Sequence, residues 1–435
     1  MAEAIGVVDS SRLGSLLGAG SQRSPLRALG TSLYGAGAEE RVVLDVGEYT
    51  LRAGFSGDSA PLLRAAMAGD YERVGTLGRL SMAARGLDID DDALNALVLE
   101  QLRAAYRGSL LVDAKARKVA LVVGALTPGR LRQAIVHALM GPLRVAQVTM
   151  YPASVAALVT CGGTAGLVVD CGHRTSTVVP VYDARPMSSL LTVSPMAGRA
   201  LWANLRGLLV RYASFEPAGE SGGSVTEDML DDALCERLLQ LLYVSPVAVP
   251  ESMRDHVSVG KVQSPAIGWF QSSVTATATA VRVTLTRPPG RLLIPCWVRE
   301  RVAEVLLVGD SAAEHMGLVD AIVQCLARVP MDLRRHLVSR ILVVGGVADM
   351  PNFRMRLLQD VVARLRQGSR WSALANDAAL AEERATAAEP SSANGSVFRP
   401  SDRCWIGTSL AVAAKIGGVD VKSDGSGGYS LPDSF

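Results

Sequence analysis

Two stretches of the chain hold residues that could do chemistry, and they share a layout. In "VVLDVGEYTLRAGFSGDSAP", residues 42–61, an apolar run ends on Asp45, Gly47 follows, and the chain turns back into Leu51, Ala53 and Phe55. In "GLVVDCGHRTSTVVPVYD", residues 166–183, the same order returns with Asp170 and Gly172. Each reads as strand, tight turn and returning strand, with a carboxylate at the turn. Backbone amides exposed in such turns make an anion nest, so two of them would grip a polyphosphate from opposite sides. Asp45 and Asp170 would then hold Mg²⁺ through water, because Mg²⁺ dehydrates reluctantly. A third turn, Gly345-Gly346, would let the backbone approach a base or ribose closely. One D-x-G hairpin alone is also what a plain acidic turn looks like. The specificity lies in finding all three in order.

These turns need a scaffold, and the intervening sequence supplies an α/β pattern in which apolar strand-like runs alternate with helical periodicity. "KVALVVGAL" (118–126), "RVAQVTMY" (144–151), "AGLVVDCG" (165–172) and "ILVVGG" (341–346) read as buried strands. "GRLRQAIVHALMG" repeats Leu131, Ile135 and Leu139 at four-residue spacing and reads as an amphipathic helix. "PASVAALVTC" is helical, with Pro152 at a tolerated early position. "SVTATATAVRVTLT" (273–286) alternates strictly and predicts a half-exposed strand turning at Arg287-Pro288-Pro289-Gly290. Leu357, Leu358, Val361, Val362 and Leu365 form a core stripe at helical spacing. Residues 1–40 and 418–435 read as loose tails, the first with a short helix at "SSRLGSLLGAG", and 373–400 as an Ala-rich helix running into a polar loop.

Composition narrows the classes. At 435 residues, the chain is too long for one ordinary core. It is 49% hydrophobic and 20% charged, with 44 Lys+Arg against 42 Asp+Glu, so no charge excess points to nucleic acid. Six scattered cysteines lack any C-x-x-C or His/Cys zinc spacing and read as free thiols of a reducing compartment. No leader-like start and no apolar run of about 18 residues is present, which predicts a cytoplasmic protein.

The motifs resemble the actin and actin-related protein family. "LDVGEYTLRAGFSGDSAP" is similar to its first phosphate loop, and "GLVVDCGHRTSTVVPVYDARPM" to its second. "PMAGRALWANL" is similar to the segment after that loop, "MDLRRHLVSRILVVGGVADMPNFRMRLLQDV" to the adenosine side, and "CWIGTSLAVAA" to the closing Trp-Ile-Gly helix. The resemblance implies an actin-like α/β fold of duplicated ribonuclease-H-like halves around a nucleotide cleft. Residues 41–160, completed by 399–417, would form the first half and 161–398 the second. It places nucleotide-binding positions at Asp45, Gly47, Glu48, Tyr49, Thr50 and Arg52 in the first loop. The second loop would contribute Asp170, Cys171, Gly172, His173 and Arg174. Gly198 and, on the adenosine side, Gly345, Gly346, Val347 and Met350 complete the set. ATP or ADP with Mg²⁺ at Asp45 and Asp170 is the implied structural cofactor.

Departures from the family pattern imply lost hydrolysis. Glu48 and Tyr49 stand where a Ser and a Gly contact the terminal phosphate, while Arg52 keeps the charge of a phosphate-binding lysine. Thr177 and Ala153 stand where the family has a histidine and a glutamine that orient the attacking water, and water positioning dominates such reactions. No catalytic residue is expected, and His173 reads as a turn histidine. Within the family, "LDVGE", "SLLVDAKARKVALV", "LVVDCGHR", "LARVPMDLRRHL" and Met350-Pro351 are most similar to the subunits that cap the pointed end of dynactin's short filament. That similarity implies other dynactin subunits as partners, and no nucleic acid or membrane insertion. The stretch from Pro61 to Lys118 reads as too short for the family's filament-gripping subdomain. Two rival readings are a nuclear chromatin-remodelling subunit, disfavoured by the lack of a basic cluster, and an active ATPase, disfavoured by Ala153 and Thr177.

Overall fold

The computed structural model describes residues 40–47, 49–66, 90–217, 222–239, 241–261, 263–273, 280–286, 288–368, 371–381, 398–423 and 429–431. The expected N-terminal tail and helix, Glu48, residues 67–89 of the shortened stretch, and 382–397 of the Ala-rich segment lie outside the described residues. The chain divides into a larger unit (Glu39–Arg199, His315–Asp349 and Phe353–Phe435) and a smaller one, which includes Ala200–Glu314 and Met350–Asn352.

In the larger unit, β1 (Val42–Val46) pairs antiparallel with β2 (Thr50–Phe55), and β2 with β3 (Leu63–Ala66). On its other side β1 runs parallel to β4 (Val119–Val123), and β4 runs parallel to β5 (Val148–Pro152). Period-2 alternation sends each strand's residues to opposite faces. Val42 and Leu44, with Val119, Leu121 and Val123, join a core beneath helices α1 (Asp91–Ala105) and α2 (Gly129–Met140). Val43, Ala120 and Val122 join a second core with Tyr151, Trp405 and Ile406. Both faces of β4 are therefore covered, which explains its unbroken apolar run.

Sequence patterning missed α1, although its signals are present. Asp90 caps it by accepting from Ala93 N at 2.7 Å, and Leu94, Val98 and Leu102 recur every fourth residue on its buried face.

The second sheet orders β10 (Ile341–Val344), β6 (Gly166–Cys171), β7 (Ser176–Tyr182) and β8 (Arg185–Pro186), with β9 (Thr192–Ser194) also on β7. β10 is parallel to β6, and its last residue, Val344, is in register with Asp170. Two helices link the cores of the two sheets. In α3 (Ala153–Val159), Ala153 belongs to the first sheet's core, while Ala157 and Leu158 belong to the second's. Its partner, α6 (Arg403–Ala413), crosses it so closely that a Cβ on Gly407 would sit 1.7 Å from Ala156 O. Trp405 is fully buried and donates from Nε1 to Val43 O at 3.0 Å.

Several expectations need correcting. The end of the chain is not wholly a loose tail: β11 (Val419–Asp420) pairs antiparallel with the edge strand β5, and Val421 is buried, with Tyr429 and Leu431 packed on the first core. Thr149 Oγ1 donating to Asp420 Oδ1 at 2.6 Å fixes this short strand, whose two residues are too few to show an alternation in sequence. In the smaller unit, Val281–Thr286 pairs with Pro289–Ile294, so Pro289 and Gly290 are already strand rather than turn. Of the Ala-rich segment, the described part holds the four-residue helix Ser372–Ala375, and the remainder of that expectation lies outside the described residues. That smaller unit also buries an ion pair, Arg301–Glu304 at 2.9 Å, with the guanidinium 4.6 Å from the Trp269 ring and donating to Val247 O and Ser273 O.

Candidate phosphate-loop site

Both D-x-G turns lie in the larger unit. In the first, Gly47 N donates to Thr50 O at 2.9 Å, and a Cβ on Gly47 would come within 3.0 Å of that same oxygen. Gly172 has the matching relation to Thr175 O, also 3.0 Å. The two loops are thus one local design, D-x-G-x-x-T, in which the glycine sits tightly beneath the returning threonine carbonyl. The helix Gly198–Tyr212 begins against the second loop. Gly198 N donates to Gly172 O at 3.0 Å and Arg199 N to His173 O at 2.6 Å. The amides of Gly47 and Gly198, two of the expected nucleotide-binding positions, are accordingly held by carbonyls of the protein itself.

Cross-strand pairing sets Asp45 opposite Arg52. Arg52 Nη1 lies 3.3 Å from Asp45 Oδ2, and its Nε lies 3.1 Å from Asp402 Oδ1. Asp402, 1% exposed, is gripped a second time by Arg64 Nη2 at 2.8 Å. Burial, the leading cause, holds the Asp45 carboxyl above its ordinary range even with Arg52 alongside. Burial also raises the Cys404 thiol well above its ordinary range, with Asp170 and then Asp45 adding to the shift, so Cys404 lies within the field of both turn carboxylates.

Gly345 sits at φ +95°, and a Cβ there would fall 2.3 Å from Cys171 O and 2.8 Å from Asp170 Oδ1. The predicted close approach is therefore real, but it is to the second loop. Gly346 is exposed with open space around it, and Val347 is buried. Met350 is buried and belongs to the smaller unit. Ala153 and Thr177, at the positions of the missing water-orienting groups, are each 8% exposed. His173 and Tyr49 meet: their rings stack with centroids 4.7 Å apart and planes inclined by 23°. The tips of the two loops are in contact through these side chains. Sequence reasoning missed Asp402, Arg64 and Cys404, and no local signal could have found them.

Two mixed sheets joined through a buried helix pair, each carrying a D-x-G hairpin with the hairpin tips in contact, define an actin-like fold. The Actin family model matches residues 37–220 and 271–410, more than half of the chain, and the chain belongs to the actin family. It is homologous to actin-related proteins. Actin-related protein 4 of Arabidopsis thaliana is 20% identical over 405 residues, covering 79% of this chain and 90% of that protein. Centractin of Saccharomyces cerevisiae is 21% identical over 359 residues, covering 77% and 85%. Actin-related protein 6 of Drosophila melanogaster is 26% identical over 207 residues, covering 45% and 48%.

Actin-family domains generally bind a nucleotide with Mg²⁺. The residues of this chain do not fit that group. The cation matching the phosphate-binding lysine is committed to two carboxylates, one of the two expected Mg²⁺ ligands is paired with that cation, and a ring stack joins the turns. Among the described residues, no group of three His, Cys, Asp or Glu side chains is placed to hold a metal, and no helix is long and apolar enough to cross a membrane.

Proposed function

We propose that this chain is a non-catalytic actin-related protein that serves as a structural subunit of dynactin. In that role it caps the pointed end of the short actin-like filament and supports dynein-driven transport on microtubules in the cytoplasm. Its counterpart would be the subunit called actin-related protein 10, or actin-related protein 11 within dynactin. The observation that carries the non-catalytic part is the loop pair itself. Arg52 is held by Asp45 and Asp402, Tyr49 is stacked on His173, and Ala153 and Thr177 replace the glutamine and histidine that orient water in the family pattern. ATP or ADP with Mg²⁺ has no catalytic part in this role. The duplicated halves, 41–160 with 399–417 and 161–398, belong to the same reading, as does the shortened stretch between Pro61 and Lys118.

The pointed-end assignment is supported by "LDVGE", "LVVDCGHR" and "LARVPMDLRRHL". Similarity to Centractin and to actin-related proteins 4 and 6 is comparable in identity and does not choose among assemblies. Affinity purification with mass spectrometry tests the proposal. Recovery of dynactin subunits, with negative-stain images placing the chain at one filament end, is the expected result. Recovery of chromatin-remodelling subunits would replace it with the nuclear reading. Self-polymerisation into long filaments would sink the capping role while leaving the fold untouched.

A further inference from the structure

The two loop turns come from different sheets, β1–β2 and β6–β7. Joining turns that belong to different sheets takes contacts other than strand pairing. One direct tie, and a second relayed through the approach to α6, are made of the chain's own atoms. Tyr49 of the first tip stacks on His173 of the second at 4.7 Å. Arg52, on the strand returning from the first tip, lies between Asp45 and Asp402, and Asp402 is the residue immediately before α6. Gly345 N donates to Pro400 O at 3.3 Å, joining the third turn to the same approach to α6, while Gly345 itself is pressed on Cys171.

From this placement, and given the actin-family reading, we infer that the side chains of this protein form a latch that replaces the Mg²⁺–nucleotide as the bridge between the two loops, so that the chain folds and is stable without one. A polyphosphate entering between the turns would have to part Tyr49 from His173. It would also have to compete with two carboxylates for Arg52, one of them almost completely buried. Tyr49 supplies the first half of the stack at a position where the family pattern has glycine, a residue that has no ring to offer.

The test uses the purified full-length chain, with Mg²⁺–ATP, Mg²⁺–ADP and EDTA as probes. The expected result has two parts. The denatured extract contains far less than one adenine nucleotide per chain, and millimolar Mg²⁺–ATP, Mg²⁺–ADP or EDTA each leaves the melting temperature unchanged. A nucleotide that bound only the folded state would instead raise the midpoint clearly once in hundredfold excess over its Kd. In the second part, Tyr49→Ala and His173→Ala each lower the melting temperature by about 2 °C, the double variant loses less than the sum, and Tyr49→Phe, which keeps the stack, matches wild type. Near-stoichiometric nucleotide, or a stabilising shift with either Mg²⁺–nucleotide, overturns the replacement. Strict additivity of the two alanine variants overturns the latch. Neither result touches the actin-family fold, and the dynactin role is decided separately by the purification experiment.

Discussion

Replacing Arg52 by methionine removes the guanidinium that joins Asp45 to Asp402, and the structure sets how much that should cost. Met retains much of the aliphatic stem, so the change is mainly electrostatic. Arg52 lies 3.3 Å from Asp45 and 3.1 Å from Asp402, with 12% of its side chain exposed. At an effective dielectric of about 20, each contact represents roughly 5 kcal/mol of gross Coulomb attraction, before desolvation is subtracted. Breaking a buried pair from one side typically costs about 3–5 kcal/mol, because the other charge is stranded. Two features move the expectation to the low end: Asp402 keeps Arg64 at 2.8 Å, and Asp45 retains 16% exposure. One feature opposes them, since burial already holds the Asp45 carboxyl above its ordinary range with Arg52 in place. The expected loss is therefore about 3 kcal/mol. Urea denaturation followed by Trp fluorescence measures it through the midpoint at unchanged slope. Adding Asp45→Asn to the Arg52→Met background should return about 1–2 kcal/mol by removing the stranded charge. A single variant within about 0.5 kcal/mol of wild type, or a double variant no more stable than the single, would refute the reasoning.

Gly407→Ala should destabilise by about 3 kcal/mol or more, because its Cβ would lie 1.7 Å from Ala156 O and must push α6 off α3; Gly346→Ala, with nothing within 4 Å, should be nearly neutral in the same melt. Burial pushes the Cys235 and Cys325 thiols up to about 11, so in the native state at pH 8 neither should react with iodoacetamide, while unfolding exposes both. The folded chain holds these two protons more tightly than the unfolded one. Their contribution to stability is thus complete below about pH 9 and is lost as pH rises through 11, up to roughly 3 kcal/mol each, readable as a falling urea midpoint. Truncation after Gly417 removes β11 and buried Val421 and should cost about 2 kcal/mol, with faster amide exchange in β5; unchanged exchange would mean that the edge does not depend on the terminal strand. Phosphate release from ATP should stay at background, and Ala153→Gln should not raise it, since the latch at Arg52 and Tyr49 is untouched.

Read by itself, the sequence determined the parts whose cause is local. The buried strands were legible because period-2 alternation and unbroken apolar runs follow directly from how many faces of a strand are covered, as at Val119–Val123. The D-x-G turns were legible because glycine suits the close approach to the returning carbonyl at Gly47 and Gly172. The helices Gly129–Met140 and Phe353–Gln367 followed from spacing, and α1 could have been read from its Asp90 cap and four-residue repeat. What those turns do with their side chains was decided only by the tertiary structure. The partner that draws Arg52 away from any phosphate is Asp402, 350 positions along the chain. Tyr49 looked like a bulky intruder and His173 like a solvated turn residue until the packing of two sheets brought their rings together. The strand at Val419–Asp420 exists because β5 offers an open edge, which two residues of sequence cannot announce. Periodicity records which face of an element is buried, and it carries no information about which distant side chain will be waiting there.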